Sequence, residues 1–296
     1  MSVPRALVLG AGGQLGMACT ARSPGSIEVV GVTRRECDIT DYGALERCLD
    51  RIAPKVVVNA AAYTAVDDAE DHPEQANAIN ADAPSALAEI CAQRGARLVH
   101  LSTDFVFDGA GTAPYAPDSR TAPLGVYGAS KLIGEQAVTA SGVSHAVVRT
   151  SWVYAATGHN FLLTMLRLMR ERSVVRVVND QIGSPTSATG LAEICWALAL
   201  REEVSGVFHW SDRGEVSWYD FACAIRDEAT ALGLLAEPVS VEPIANEAFP
   251  TKARRPRYSV LDVEETCSLL RVAPRPWREA LRDVLRSVSA MEEVRP

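Results

Sequence analysis

Short apolar runs alternate with helix-like segments through the first half of the chain. The apolar runs lie at 5–10, 27–32, 55–60, 96–101 and 146–150. Runs of this length are typical of strands that are buried on both faces of a parallel sheet. The segments between them have helix-like composition and start or stop signals, at about 17–19, 42–52, 73–94 and 127–135. This alternation predicts an α/β fold built on a doubly wound parallel sheet.

The second half of the chain has fewer strand-like runs and more mixed helical segments. We therefore predict a dinucleotide-binding domain at 1–154 and a smaller, mixed α/β substrate-binding lobe at 155–296. His209 and Trp210, in the sequence V-F-H-W-S, indicate a returning strand. A family resemblance, set out below, implies that later segments cross back and complete the first domain.

A glycine-rich turn joins the first predicted strand to the first predicted helix. Gly10, Gly13 and Gly16, in G-A-G-G-Q-L-G, allow a tight turn, close approach of a ligand to the backbone, and packing of the helix on the strand. The helix N-terminus that follows offers N–H groups and a positive dipole end to a pyrophosphate. The turn favours dinucleotide binding on a Rossmann-type sheet; a glycine turn that binds nothing is the alternative.

The end of the second predicted strand bears on which dinucleotide would bind. An acidic residue there would hold the ribose hydroxyls of NAD, whereas an arginine suits the 2′-phosphate of NADP. The sequence places Arg34 and Arg35 at this point, before Glu36. NADPH is therefore the predicted cofactor, with NADH possible; the alternative is that both arginines are solvated surface residues.

Composition and charge exclude several classes of function. The chain has 296 residues, 48% apolar and 22% charged, with a formal net charge of −8. An acidic chain without a basic stripe argues against nucleic-acid binding, and no apolar run approaches the length of a membrane helix. The seven cysteines lie far apart, and the five histidines show no ligand spacing. We expect a cytoplasmic protein with reduced cysteines and predict no metal site.

Tyr127 and Lys131 form the first candidate for chemistry. Residues four apart lie on the same face of a helix. A phenol normally loses its proton near pH 10, and a nearby ammonium lowers that pKa toward the range useful for acid–base catalysis. Ser102 and Thr103 end the fourth predicted strand, where ligands bind in open α/β sheets. The structural alternatives are a chance pair at a helix start and two hydroxyls that cap a turn.

The order of these motifs along the chain resembles the extended short-chain dehydrogenase/reductase family. Within that family, the chain is similar to the dTDP-4-dehydrorhamnose reductases over nearly its whole length. The similarity rests on S-T-D-F-V-F-D-G (102–109), V-Y-G-A-S-K-L-I-G-E (126–135), R-T-S-W-V-Y (149–154), N-F-L-L-T-M-L-R-L (160–168), V-N-D-Q-I-G-S-P-T (178–186), S-W-Y-D-F-A (217–222) and F-P-T-K-A-R-R-P-R-Y-S-V-L-D (249–262).

The resemblance implies NAD(P)H-dependent reduction of dTDP-4-dehydro-β-L-rhamnose to dTDP-β-L-rhamnose, a precursor of cell-surface polysaccharide. It implies that Tyr127 protonates the new alkoxide, that Thr103 donates to the same oxygen, and that Lys131 holds the nicotinamide ribose. The implied cofactor-binding residues are Gly10, Ala11, Gly12, Gly13, Gln14, Leu15, Arg34, Asp38, Ile39, Ala60, Ala61, Ala62, Tyr63, Ser102, Tyr127 and Lys131. The implied substrate-binding residues are Thr103, Asp104, Trp152, Asn160, Phe161, Gln181 and Arg255.

Two points leave alternatives open. The family's magnesium-bridged dimer uses an acidic residue just after the glycine turn, whereas residues 17–20 are M-A-C-T, so we expect a monomer or a homodimer. The alternative functions are a non-catalytic, nucleotide-binding regulatory subunit and a reductase or epimerase of another nucleotide-linked deoxysugar. Retention of Thr103, Tyr127 and Lys131 argues against the regulatory subunit.

Overall fold

The computed structural model describes residues 3–237 and 239–293. Of the two domain ranges predicted above, residues 1, 2, 238 and 294–296 lie outside the described residues. The strands are β1 Arg5–Leu9, β2 Glu28–Val32, β3 Val56–Asn59, β4 Arg97–Thr103, β5 His145–Thr150, β6 Val153–Tyr154, β7 Val174–Val178, β8 Ile182–Gly183, β9 Thr186–Ser187, β10 Gly206–Trp210, β11 Val216–Ser217 and β12 Ser240–Ile244. The helices are α1 Gln14–Ala21, α2 Tyr42–Ile52, α3 Val66–Asp71, α4 Pro73–Asn77, α5 Ala83–Arg94, α6 Val126–Ala140, α7 Phe161–Glu171, α8 Ala188–Ala199, α9 Trp218–Ala231, α10 Glu264–Leu270 and α11 Trp277–Glu293.

Six strands form one parallel sheet in the order β2–β1–β3–β4–β5–β10. Successive side chains of a strand point to opposite faces, and both faces are covered. On one face, Leu7 and Leu9 pack with residues of α2 and α5. On the other face, Ala6 and Val8 pack with residues of α1 and α8. The predicted doubly wound parallel sheet is confirmed.

The five predicted strands of the first half are all present, while one predicted helix differs. The segment predicted as a single helix at 73–94 is α4, a π-helical turn at Ala78–Asp82, and α5. The wider turn accompanies the buried side chain of Asn80, which accepts a hydrogen bond from Tyr63 N (2.8 Å) and donates to Ser130 Oγ (3.1 Å). The turn therefore places Asn80 between the loop after β3 and the helix α6. The short helix α3 was not predicted.

The second half of the chain contributes to the first sheet. β10 lies parallel to β5, with His209 opposite Arg149 and Trp210 opposite Thr150, as expected of a returning strand. Residues of α8 cover the sheet on the same face as α1. The range 155–296 therefore supplies both the sixth strand and a covering helix.

The remaining elements of the second half have their own apolar core. Residues of α7, α9 and α11 pack with those of β7 and β12. The two-stranded sheets β7/β12 (parallel) and β8/β11 (antiparallel) lie within the second half, and a third, β6/β9 (parallel), pairs Val153–Tyr154 with a strand of the second half. This is the predicted mixed α/β character, while the division at residue 154 stays a prediction. In the part of the chain that the structure describes, no helix combines the length and apolar character needed to cross a membrane.

Candidate functional site

A cavity of about 250 Å³ lies at the carboxyl ends of β1 and β3. In the strand order, β2 lies on one side of β1 and β3 on the other, so the connections from these strands leave in opposite directions. Such a switch point is where open α/β sheets bind ligands. The cavity is lined by Gly10, Gly12, Gly13, Arg34, Cys37, Asp38, Ile39, Ala60, Ala61, Ala62 and Ile79. Nine of the predicted cofactor residues thus come together here.

The glycines have specific steric roles at this cavity. Gly10 has φ +76°, and a Cβ there would lie 2.7 Å from Ala61 N, so β1 and the loop after β3 meet too closely for a side chain. A Cβ on Gly16 would lie 2.1 Å from Gly10 O, so helix α1 packs directly on the turn. A Cβ on Gly12 would meet only Thr33 Cγ2, at 3.7 Å. That space lies beside the N-terminus of α1, whose N-cap Gly13 provides no side-chain cap. The residues present therefore fit a dinucleotide pyrophosphate.

Arg34 lies at the rim of the same cavity, in an ion pair with Asp38 (3.3 Å). Hydrogen bonds from the backbone and hydroxyl of Thr40, and then Arg34, lower the pKa of Asp38. The pair keeps a cation beside the position where a ribose and its 2′ substituent would lie.

Four other predicted cofactor residues have different surroundings. Ala11 N donates to Val32 O (3.0 Å), and Leu15 packs against the apolar core beneath the sheet. Gln14 accepts a hydrogen bond from Asn160 Nδ2 (2.8 Å), and the hydroxyl of Tyr63 bonds to Asp68. The structure does not bring these four side chains into the lining of the cavity; their roles stay predictions.

Tyr127 lies in the first turn of α6, and Thr103 is the last residue of β4. Burial raises the pKa of Tyr127 to about 12; a hydrogen bond with Thr103 opposes that rise, and the charge of Asp104 adds to it. The expectation that Lys131 lowers the pKa of Tyr127 is wrong for this structure. Loss of hydration outweighs the other effects, and the ammonium is engaged elsewhere. The phenol is therefore a proton donor at neutral pH.

Lys131 is buried, and its Nζ donates to the backbone oxygen of Leu101. Burial lowers the pKa of Lys131 to about 8, while the negative charge of Glu135 opposes that change. The bond to β4 holds the ammonium at the same end of the sheet as Thr103, so the three predicted catalytic residues come from adjoining elements.

A buried network of charged side chains lies next to the three predicted catalytic residues. Ser102 Oγ donates to Glu135 Oε2 (2.8 Å), and Glu135 forms an ion pair with Arg149. Arg149 Nη1 also donates to Pro117 O (2.9 Å). The structure thus gives the predicted cofactor residue Ser102 a carboxylate partner within the protein. Glu135 and Arg149 were missed from sequence, although both fall inside the quoted motifs.

Asp104 is buried beside Thr103. Thr103 Oγ1 donates to Asp104 Oδ1 (3.1 Å), whereas Asp104 Oδ2 is buried without a hydrogen-bond partner among the described residues. Burial raises the pKa of Asp104 to about 6. Hydrogen bonds with Ser259 and Thr103 oppose that rise. The contact of Asp104 with the substrate stays a prediction.

A second cavity, of about 390 Å³, lies on the second-half elements. It is lined by Phe161, Thr164, Met165, Leu168, Arg176, Val177, Val178, Gln181, Trp218, Phe249 and Arg255. Three predicted substrate residues, Phe161, Gln181 and Arg255, thus lie together. Trp218, Phe249 and Arg176 were missed; the aromatic residues of the motifs at 217–222 and 249–262 were the available signal. Flat aromatic walls with a few cationic groups are suited to a nucleotide.

Four predicted substrate residues lie outside the lining of that cavity: Thr103 and Asp104, described above, and Trp152 and Asn160. Trp152 has φ +45° and stacks on Trp218, with ring centroids 3.4 Å apart. A Cβ on Gly183 would lie 2.6 Å from its ring, so a glycine is needed there. Asn160 caps α7 by accepting a hydrogen bond from Leu163 N (3.0 Å). The structure accordingly gives Asn160 a place in the framework, and its binding role stays a prediction.

Among residues 3–237 and 239–293, no group of three or more His, Cys, Asp or Glu side chains is arranged to hold a metal ion. All seven cysteines are free, and five of them are buried.

Comparison with known proteins agrees with this architecture. The family model described as the RmlD substrate binding domain matches residues 4–290. The chain is 43% identical to the dTDP-4-dehydrorhamnose reductase of Mycobacterium tuberculosis over 287 residues, which cover 95% of this chain and 92% of the relative. It is 42% identical to the enzyme of that name from Burkholderia thailandensis over 295 residues, 94% of this chain and 98% of the relative.

A solved structure is similar over the same extent. The crystal structure of dTDP-4-dehydrorhamnose reductase from Bacillus anthracis, in complex with NADP, has a TM-score of 0.91 and 34% identity to this chain. The match covers 97% of this chain and 100% of that one. The chain therefore belongs to the RmlD substrate-binding-domain family, on both its sequence and its fold.

Proposed function

We propose that this protein is a dTDP-4-dehydrorhamnose reductase, which reduces dTDP-4-dehydro-β-L-rhamnose to dTDP-β-L-rhamnose with NADPH. One observation carries the proposal. The carboxyl edge of the sheet holds a glycine-lined dinucleotide cavity together with Thr103, Tyr127 and Lys131. Relatives of that name, 42% and 43% identical, support the substrate, and the similar structure that contains NADP supports the cofactor.

The first cavity would hold the cofactor. The N-terminus of α1 and the turn from Gly10 to Gly13 suit the pyrophosphate, and Arg34 suits a 2′-phosphate because a guanidinium gives planar donors that match phosphate oxygens. When bound, NADPH supplies the hydride that reduces the C4 carbonyl. NADH would lack the phosphate that pairs with Arg34, which is why we favour NADPH.

Tyr127 is the proposed proton donor to the C4 oxygen. Its pKa of about 12 keeps the phenol protonated at neutral pH, as a reduction requires. Thr103 would donate a second hydrogen bond to the same oxygen, where negative charge develops in the transition state. Lys131 would hold the nicotinamide ribose.

The second cavity would hold the nucleotide of the substrate. The rings of Phe161, Trp218 and Phe249 offer apolar faces to the base, while Arg176 and Arg255 are the cations available to the diphosphate. Asp104, Gln181, Asn160 and Trp152 are further predicted contacts of the substrate. Polar groups that recognise the sugar at both ends would fix which face of the C4 carbonyl meets the cofactor.

The origin of the acid–base residues and the state of the cysteines bear on the assembly and location of the protein. The acid–base residues all come from one chain, so the chemistry is compatible with either a monomer or a homodimer. Seven free cysteines fit a reducing compartment, and we propose a cytoplasmic enzyme.

NADPH oxidation with the purified keto-sugar nucleotide tests the function. We expect consumption of NADPH by the wild type and a rate about 10² to 10⁴ lower for Tyr127→Phe, because the proton donor is lost. Affinity for NADPH, measured by quenching of protein fluorescence, should be unchanged in this variant. Binding of both ligands without oxidation would instead support the regulatory subunit. A product other than dTDP-rhamnose, identified by NMR, would support a sibling reductase or epimerase.

A further inference from the structure

The short helix α3, with the sequence V-D-D-A-E-D, carries four carboxylates. Three of these carboxylates contact the substrate loop, defined here as residues 249–256, or the start of the helix that bears Tyr127. These contacts link parts of the chain that are more than 50 residues apart in sequence. The proposed mechanism uses none of these carboxylates.

Asp67 holds the substrate loop at two points. Its Oδ2 accepts a hydrogen bond from Arg255 Nη2 (2.7 Å), and its Oδ1 accepts one from the backbone N of Ala253 (3.1 Å). Lys252 forms a further ion pair with Asp71 of the same helix. The bond to Asp67 uses one of the five N–H donors of the Arg255 guanidinium, which leaves others to meet a phosphate. Asp67 thus orients the guanidinium that lines the second cavity.

Glu70 caps the first turn of α6, the helix that carries Tyr127 and Lys131. The N-cap of α6 is Gly125, which has no side chain to accept from the free N–H groups of the first turn. Glu70 Oε1 accepts the hydrogen bond from Val126 N (2.8 Å) in its place. A Cβ on residue 125 would lie 2.5 Å from this oxygen, so glycine is needed for the contact. Val126 directly precedes Tyr127.

We propose that Asp67 and Glu70 are positioning residues for the reduction. Residues three apart on a helix are neighbours on its surface, so α3 fixes the distance between the phosphate-binding arginine and the proton-donating tyrosine. The keto-sugar lies between these two groups, attached to the diphosphate at one end. This inference rests on the proposed function, because it takes Arg255 as a ligand of the substrate diphosphate.

The two carboxylates should affect different kinetic parameters. For Asp67→Ala we expect KM for the sugar nucleotide to rise about fivefold with kcat little changed, the effect of losing an interaction of about 1 kcal/mol in substrate binding. For Glu70→Ala we expect kcat to fall about fivefold with KM little changed, because the first turn of α6, which carries Tyr127, loses the acceptor that holds it. Glu70→Gln keeps an acceptor oxygen and should restore most of kcat. The Kd for NADPH should stay at the wild-type value in all three variants.

A matched control is available at the C-terminal ends of α2 and α5, outside the lining of both cavities. Arg94 and Asp50 form an ion pair with the same 2.7 Å contact, between α5 and α2. Asp50→Ala removes a similar pair without touching either cavity, so its kinetic parameters should equal those of the wild type. In a double-mutant cycle, Asp67→Ala and Arg255→Gln should raise KM less together than the product of their separate effects, because both disrupt one contact.

The outcomes separate this inference from the function itself. If wild-type protein does not oxidise NADPH with the keto-sugar, the proposed function fails. If the wild type is active and Asp67→Ala lowers KM, Asp67 competes with the phosphate and the inference is overturned. It is also overturned if Asp67→Ala and Glu70→Ala match the wild type, or if each raises the Kd for NADPH as much as it changes the kinetics.

Discussion

The buried ion pair between Glu135 and Arg149 offers the sharpest test of how the catalytic helix is held. Glu135 lies one helical turn after Lys131, and its carboxylate also accepts from Ser102, which precedes Thr103. The side chains of Glu135 and Arg149 are only 4% and 5% exposed. Replacing Glu135 by Gln keeps the shape of the side chain but leaves the Arg149 guanidinium buried without a counter-charge.

The burial of the pair sets the expected loss of stability in Glu135→Gln. Removing one partner of a buried pair costs about 3–5 kcal/mol, because the remaining charge loses its compensation. An entropy of unfolding of about 2.1 cal/mol/K per residue, taken over 296 residues, gives about 0.6 kcal/mol/K. Glu135→Gln should therefore lower Tm by about 5–8 °C.

Urea denaturation followed by circular dichroism would measure the loss in free energy of unfolding, and calorimetry would measure Tm. The matched control is Glu171→Gln, which removes a partner of Arg167 in a pair 61% and 51% exposed; it should cost less than about 1 kcal/mol. A cost for Glu135→Gln as small as that of the control would refute the reasoning, since the pair would then behave as if solvated.

Three further predictions concern the sites. Arg34→Ala should raise KM for NADPH roughly tenfold and leave KM for NADH nearly unchanged, because a hydrogen-bonded charge pair contributes about 1.5 kcal/mol or more; an equal rise for both cofactors would contradict the role given to Arg34. Burial lowers the pKa of Lys131 to about 8, so its ammonium loses the proton as pH rises through that value, and kcat/KM should fall above about pH 8. A pH profile that is flat to pH 9.5 would count against a required ammonium. Gly183→Ala should displace the ring of Trp152, which lies 2.6 Å from the new Cβ; tryptophan fluorescence should shift and KM for the sugar nucleotide should rise, whereas an unchanged spectrum would show that the ring is not confined there.

The sheet and the first cavity could be predicted from the sequence because their signals are local. Five apolar runs mark the strands, and a Cβ on Gly16 would meet Gly10 O, which lies six residues earlier in the same turn. The N-cap of α2 is Asp41, directly before the helix, and its side chain accepts from Ala44 N. Such patterns depend on neighbours in the chain, which a sequence displays directly.

The parts that were wrong or missed depend on contacts between distant segments. The pKa of Tyr127 is set by burial under several elements, and the ammonium of Lys131 finds a backbone partner in β4. The spacing of the two residues carries no information on either effect. Glu70 likewise caps a helix 56 residues later, a relation that no local motif encodes.

Transfer of deuterium from the cofactor would test the central claim most directly. The enzyme would be incubated with NADPH that carries deuterium at the transferable C4 position and with dTDP-4-dehydro-β-L-rhamnose, and the product would be examined by NMR. The account predicts dTDP-β-L-rhamnose with deuterium at C4 of the sugar, formed in proportion to the NADPH consumed, and almost none from Tyr127→Phe. Absence of deuterium at C4 while both ligands remain bound would contradict it.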